Sequence, residues 1–250
     1  MPERLIFGLR FSPLSSAEIA DQIAVGVPSE HSANMLYTAN LDHVVKMRHV
    51  EGFRQAYRRA DIITADGFPI YFYARLRGVK LPGRVTGADL FPEIIARLTP
   101  ERCRPFFVVS DIETALRVEV KLAKRNFLFV QTLVPPFGFE DDADYSSQLA
   151  SKIRMHGTTH LFFCVGAPKS EIWLDYHRQK IGACHAMALG AGANFFTGTA
   201  SRAPKWVQKV HSEWLWRVVH DPRRLFRRYF IESWAFLLAI KEDLMGKETM

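Results

Sequence analysis

The chain has 250 residues, 48% of them hydrophobic, so a sizeable core forms and the length suits one large α/β domain with at most a small appendage. Three cysteines, Cys103, Cys164 and Cys184, with no CxxC pair, argue against a disulfide or zinc framework and for buried free thiols in a reducing compartment. The net charge is +7 and the pI is near 9.4.

The N-terminus, Met-Pro-Glu-Arg and then a short apolar run, lacks the regions of a secretory signal. No stretch approaches the roughly 20 apolar residues of a membrane span. A cytosolic protein is expected, or one that lies on a membrane without crossing it.

In chain order, strands are expected at Leu5–Phe11, Asn34–Tyr37, Asp61–Ala65, Pro105–Ser110, Phe127–Leu133, His160–Val165 and His185–Leu189. Between them, helices are expected at Ser16–Ala24, Leu41–Arg59, Ile70–Leu76, Ala88–Arg97, Ile112–Arg125, Tyr145–Met155 and Lys169–Gln179. This alternation predicts an α/β fold, Rossmann-like, with a mostly parallel sheet covered by helices on both faces. The character changes after Gly198, where residues 202–240 read as helices with four of the five tryptophans: Trp206, Trp214, Trp216 and Trp234. The expected division is an α/β catalytic domain over 1–198 and a basic helical C-terminal appendage over 199–250.

That appendage carries most of the charge. From Arg202 to Arg228 there are eight basic residues, and Glu213 and Asp221 are the only acids. Arg223, Arg224, Arg227 and Arg228 fall at i, i+1, i+4 and i+5, one face of a helix. Such a block calls for an anionic partner: a lipid surface, a nucleic acid or a phosphorylated substrate.

Ligands of open α/β sheets bind beyond the carboxyl ends of the strands, and several polar groups follow strands here. Thr38-Ala39-Asn40 opens a helix, whose free N–H groups suit either a phosphate or an N-cap. Asp66, before Gly67, is either a general base with a raised pKa or a cap for the next helix. In Gly83–Asp89, Arg84 is either a bidentate phosphate ligand or a solvated loop arginine. Gly166-Ala167-Pro168-Lys169 is a strand–helix junction whose lysine suits a diphosphate. Gly190-Ala191-Gly192-Ala193-Asn194-Phe195 is a poor dinucleotide fingerprint, because Phe stands in the sixth position; close backbone approach explains its glycines better. Asp142-Ala143-Asp144 has the form of a metal-binding DxD, yet helix capping is the stronger reading.

Taken together and in order, TANLDHV (38–44), RRADIITADGFPI (58–70), RVTGADLFP (84–92), VGAPKSEIW (165–173), ALGAGANFFTGTASRAPKWVQ (188–208) and EWLWRVVHDPRRLFRRY (213–229) resemble the WecG/TagA/CpsF glycosyltransferase family. The resemblance runs from about Leu5 to Tyr229. It implies an inverting transfer of a sugar from a UDP-sugar donor to a polyprenyl-diphosphate-linked saccharide in bacterial surface polysaccharide or exopolysaccharide synthesis. It implies no cofactor and no metal, a peripheral position on the cytoplasmic side of the inner membrane, and an anionic membrane surface as partner; a homo-oligomer is left open.

Carried over by the resemblance, the aspartate base falls on Asp66, and the substrate-site threonine and arginine fall on Thr38 and Arg84. Arg217, Arg224, Arg227 and Arg228 are candidate diphosphate contacts. With the motif residues Asn40, Asp89, Gly166, Lys169, Glu171, Gly190 and Gly192, these make up the expected substrate site. One position departs from the family pattern: Ser170 stands where Gln usually follows Pro-Lys, which leaves that position's role open. A basic nucleic-acid-binding α/β protein is the alternative reading, although no reader motif appears and no nucleic acid is expected as partner. A nicotinamide-dependent oxidoreductase would need an early GxGxxG, which is missing.

Overall fold

Six apolar runs form one sheet whose members are all parallel: β1 Asn34–Ala39, β2 Ile62–Ala65, β3 Pro105–Val109, β4 Gln131–Leu133, β5 His160–Cys164 and β6 His185–Ala188. The computed structural model describes residues 5–27, 32–204, 207, 216 and 233–246. Strand order is β2-β1-β6-β5-β3-β4. Every residue of β2, β3, β5 and β6 is buried. Helices cover both faces, which is why these strands are apolar throughout rather than alternating with polar residues.

The helices are α1 Ser16–Ala24, α2 Leu41–Met47, α3 Glu51–Arg58, α4 Phe68–Leu76, α5 Gly87–Arg97, α6 Ile112–Ala123, α7 Ala143–Met155, α8 Lys169–His177, α9 Gly192–Thr197 and α10 Ser233–Leu244. Helix α1 starts on a capping box: the Glu18 amide donates to the Ser15 hydroxyl, and the Ser15 amide donates to the Glu18 carboxylate. The strand period of two divides the core. Tyr37, Phe106 and Phe163 point to the layer with Phe53, Tyr57 and Trp173. Leu36, Phe107 and Phe162 point to the layer with Phe91, Leu90 and Ile19.

Helix α10 is part of the first layer. Phe236 and Ala239 are 6% and 2% exposed, and the Phe236 ring lies 5.7 Å from Phe7. The Arg48 guanidinium grips the Glu242 carboxylate through two nitrogens at 2.8 and 2.9 Å. Asp243 accepts from the Phe7 amide at 2.7 Å and the Tyr73 hydroxyl at 2.6 Å, and pairs with Arg77. Trp206, Trp214 and most of the basic segment lie outside the described residues. No helix among the described residues is long and apolar enough to cross a membrane. All three cysteines are buried free thiols.

Four elements differ from expectation. Leu5–Phe11 is no strand: Phe7 and Gly8 adopt φ of 54° and 69°, which turns the chain back so that Ile6 and Leu9 bond each other's backbone at 3.0 Å. The apolar run is buried directly, without a partner strand. The helix expected over 41–59 breaks at residues 48–50 into α2 and α3. Strand β4, expected from Phe127, begins at Gln131, because Asn126 turns at φ 64° and Leu128 and Phe129 are exposed. Helix α9 follows the glycine pair without having been expected.

Candidate active site

The carboxyl ends of β1 and β2 lie side by side, with Thr38 opposite Thr64 and Ala39 opposite Ala65. The Asp66 amide continues the ladder, donating to the Ala39 carbonyl at 2.8 Å. Gly67 then turns at φ 111°, a conformation that costs a residue with a Cβ, and α4 begins with no side-chain cap. The Asp66 carboxylate reaches the start of a different helix, accepting from the Gly87 amide of α5 at 3.3 Å.

That reach depends on the 83–86 loop lying along β2. The Val85 amide donates to the Ala65 carbonyl at 3.0 Å, and the Thr64 hydroxyl donates to the Val85 carbonyl at 2.9 Å. Arg84 is thereby held half-buried beside the site. Thr86 caps α5, accepting from the Asp89 amide at 3.2 Å and donating to the Asp89 carboxylate at 2.7 Å. Arg202 pairs with the other Asp89 oxygen at 2.7 Å. Burial alone would raise the Asp89 pKa; the bonds from Arg202 and Thr86, with the charges of Arg202 and Arg84, bring it below the usual carboxylate value. This pair fixes the chain at the rim of the site just before the basic segment.

Close backbone approach seals the other side. A Cβ on Gly87 would stand 2.6 Å from the Leu189 carbonyl oxygen, and one on Gly192 would stand 3.0 Å from the Gly87 oxygen and 3.1 Å from Phe91 Cβ. Gly190 turns at φ 54° with open space around it. The explanation by close approach thus holds for Gly192.

On β1, Thr38 is 3% exposed. Asn40 caps α2, its carbonyl oxygen accepting from the His43 amide at 3.1 Å. The Tyr57 hydroxyl donates its one proton to the Thr38 carbonyl at 3.1 Å. His43 Nδ1, 2.7 Å from that hydroxyl, is then the donor to it. His43 Nε2 is left to accept from the Asn40 side-chain amide at 3.3 Å. These bonds tie Asn40, His43, Tyr57 and Thr38 into one chain. Neither His43 nor Tyr57 carries a local signal of this role: His43 sits one helical turn from Asn40, and Tyr57 is brought in only by the packing of α3.

Beyond β5, Gly166 turns at φ 95°, and its carbonyl accepts both the amide and the hydroxyl of Ser170, at 3.1 and 3.0 Å. The Ser170 hydroxyl is thus spent on its own helix start. Lys169 turns toward the loop after β4: its ammonium lies 3.7 Å from Glu140 and 5.7 and 5.6 Å from the Phe137 and Phe139 rings. Glu171 is 3% exposed; burial raises its carboxyl to about 7. Asp142 caps α7, accepting from the Tyr145 amide at 2.9 Å, which is the capping reading of the DxD. Among the described residues no cluster of three or more His, Cys, Asp or Glu is arranged to hold a metal ion. A cavity of about 350 Å³ opens at the amino ends of β5 and β6, between Arg154, Thr158 and Ile181, away from all these residues.

The structure therefore gathers Thr38, Asn40, Asp66, Arg84, Asp89, Gly190 and Gly192 at the carboxyl ends of β1, β2 and β6, with Gly166, Lys169 and Glu171 after β5. Arg217, Arg224, Arg227 and Arg228 lie outside the described residues. A carboxylate on one helix start, flanked by arginine, can accept a proton while cationic groups and free N–H groups stabilise a phosphate.

Comparison with known proteins bears on what this site does. The sequence model described as "Glycosyl transferase WecG/TagA/CpsF family" matches residues 4–249. An N-acetylglucosaminyldiphosphoundecaprenol N-acetyl-beta-D-mannosaminyltransferase of Bacillus spizizenii (strain W23) is 25% identical over 188 residues, covering 75% of this chain and 72% of that protein. The protein of the same name in Bacillus subtilis (strain 168) is 24% identical over 184 residues, covering 74% and 70%.

Proposed function

This chain belongs to the WecG/TagA/CpsF glycosyltransferase family, and from that premise we propose that it moves a sugar from a UDP-sugar to a polyprenyl-diphosphate-linked saccharide, with inversion, in bacterial surface polysaccharide synthesis. N-acetylmannosamine as the sugar and N-acetylglucosaminyl-diphosphoundecaprenol as the acceptor follow the names of the two Bacillus relatives. The observation that carries the reading is the Asp66 carboxylate at the end of β2, steadied by the Gly87 amide of a second helix.

The reaction is one displacement. Asp66 takes the proton of an acceptor hydroxyl, that oxygen bonds to the anomeric carbon, and the bond from that carbon to the UDP oxygen breaks with its electron pair on UDP. Arg84, Lys169 and the arginines 217, 224, 227 and 228 stabilise the departing diphosphate without a metal. Thr38, Asn40, Asp89, Gly166, Glu171, Gly190 and Gly192 shape the donor site. The basic segment rests on anionic lipid at the cytoplasmic face of the membrane. A screen of UDP-sugars with lipid-diphosphate-linked acceptors, starting from UDP-N-acetylmannosamine and read by mass spectrometry, tests the proposal. Product from one donor supports it; UDP binding without transfer to any lipid-linked acceptor refutes it.

A further inference from the structure

Two buried carboxyls and one ammonium, Asp42 and Lys46 on α2 and Glu171 on α8, act on one another through their charges. Asp42 on α2 is paired with Lys46 at 2.9 Å, and its side chain is only 5% exposed. Glu171, in the first turn of α8, is buried alongside, and its Oε2 has no hydrogen-bond partner among the described residues. Tyr37 of β1 donates its hydroxyl to the Glu171 carbonyl at 3.3 Å, and the Tyr57 phenol of α3 lies within reach of the same charge. One turn further along α8, Asp175 is taken by Arg59, the residue that follows α3, at 3.1 Å. The charges of this cluster balance only when Glu171 keeps its proton, because Lys46 is already spent on Asp42. Burial is the largest effect on the Glu171 carboxyl, raising it to about 7 against the opposing pull of its own amide and of Lys46; Asp42 adds to the rise.

The cluster is joined to the site. From the first turn of α8 the Tyr37 hydroxyl leads to β1, and the Tyr37 ring meets Tyr57 edge-on at 5.4 Å. Tyr57 holds the Thr38 carbonyl and, through His43, the cap Asn40. A displacement of α8 is therefore felt at Thr38 and Asn40 on one side of the crevice, and at Gly166 and Lys169 on the other.

We propose that Glu171 is a positioning residue whose uncharged carboxyl sets the spacing between the starts of α2 and α8, so that its ionisation weakens donor binding on the alkaline side. An ionised Glu171 competes with Asp42 for Lys46 and pulls water or cation into a packed layer, and the two helix starts separate. This rests on the transferase reading, since the ligand it positions is the UDP moiety.

The test is UDP affinity by calorimetry on the full chain from pH 6 to pH 8.5, for wild type, Glu171→Gln and Asp42→Asn. Linkage to one proton near pH 7 allows a loss of up to roughly thirtyfold over that range. The expected result is a loss of at least about fivefold in wild type relative to Glu171→Gln. In Asp42→Asn the loss sets in at lower pH, because the repelling charge is gone; this variant also serves should Glu171→Gln fail to fold. Parallel profiles for wild type and Glu171→Gln, or a constant factor between them at every pH, overturn the inference, as does an unshifted Asp42→Asn profile. Absence of UDP affinity in all three proteins at every pH instead overturns the transferase reading, and this inference with it.

Discussion

Gly87→Ala is the sharpest probe of how Asp66 is held. The added methyl would meet three backbone atoms of Leu189: the oxygen at 2.6 Å, the carbonyl carbon at 3.0 Å and Cα at 3.2 Å. None of them can rotate away, so the first turn of α5 must lift from the β6–α9 turn. The bond from the Gly87 amide to Asp66 is already 3.3 Å, so a lift of a few tenths of an ångström breaks it. Overpacking of this kind costs about 1–3 kcal/mol, which lowers the melting midpoint of a chain this size by about 2–4 °C for each kcal/mol. Catalysis suffers more, since a misplacement of about 1 Å in a reacting group costs on the order of a hundredfold. Thermal unfolding and a transfer assay on Gly87→Ala, with Gly83→Ala as control, separate the two effects. Gly83 has nothing within 4 Å of an added Cβ. If Gly87→Ala matches Gly83→Ala in both melting midpoint and turnover, the account of the Asp66 support is wrong.

Asp66→Asn is expected to lower transfer by on the order of 10²–10⁴ while UDP affinity stays within a few-fold; a fully active variant removes Asp66 as base. Transfer should survive EDTA, and a loss restored by manganese would assign a role to a metal. Replacing Arg224, Arg227 and Arg228 together by Gln should release the protein from anionic vesicles in a sedimentation assay, and unchanged binding would refute the lipid contact. Burial lowers His160 from 6.5 to about 4, so its neutral form is favoured in the fold. Its contribution is complete above about pH 6.5 and drains away as the pH falls toward 4, about 2.5 kcal/mol by pH 4.5. Denaturant unfolding at pH 7 and 4.5 should show a smaller acid loss for His160→Gln than for wild type; equal losses would place the acid sensitivity elsewhere.

The parallel sheet was legible because burial on both faces leaves its mark residue by residue: Asn34–Tyr37 and His160–Val165 differ from β1 and β5 by two residues and one. Leu5–Phe11 carries the same apolar signature, but its burial comes from a turn at Phe7 that no local pattern announces. The break at 48–50 is equally silent, since neither Gly nor Pro marks it and the Val50 start has no side-chain cap. At the site, Asp66 stood out as a carboxylate at a strand end. What its carboxylate touches was not legible, because Gly87 is brought to it by the pairing of Val85 with Ala65. Asn40 was open between cap and ligand, and its bond to the His43 amide makes it a cap. The role of Tyr57 depends on tertiary packing alone.

The two anchors flanking the basic segment change what kind of object it is. Arg202 is fastened to Asp89 at the rim of the site, and Asp243 and Glu242 fasten α10 back onto Phe7, Tyr73, Arg77 and Arg48. The chain is therefore fastened to the α/β core on both sides of residues 205–232. A segment closed at both ends meets its closure entropy once, during folding. A group held within such a closed span meets the core as an intramolecular partner, at an effective concentration set by the span. Cutting the chain after Gly198 would remove both anchors, Arg202 and α10, and strip Phe236 and Ala239 from the core, so charge substitutions within 205–232 are the cleaner way to interrogate that segment.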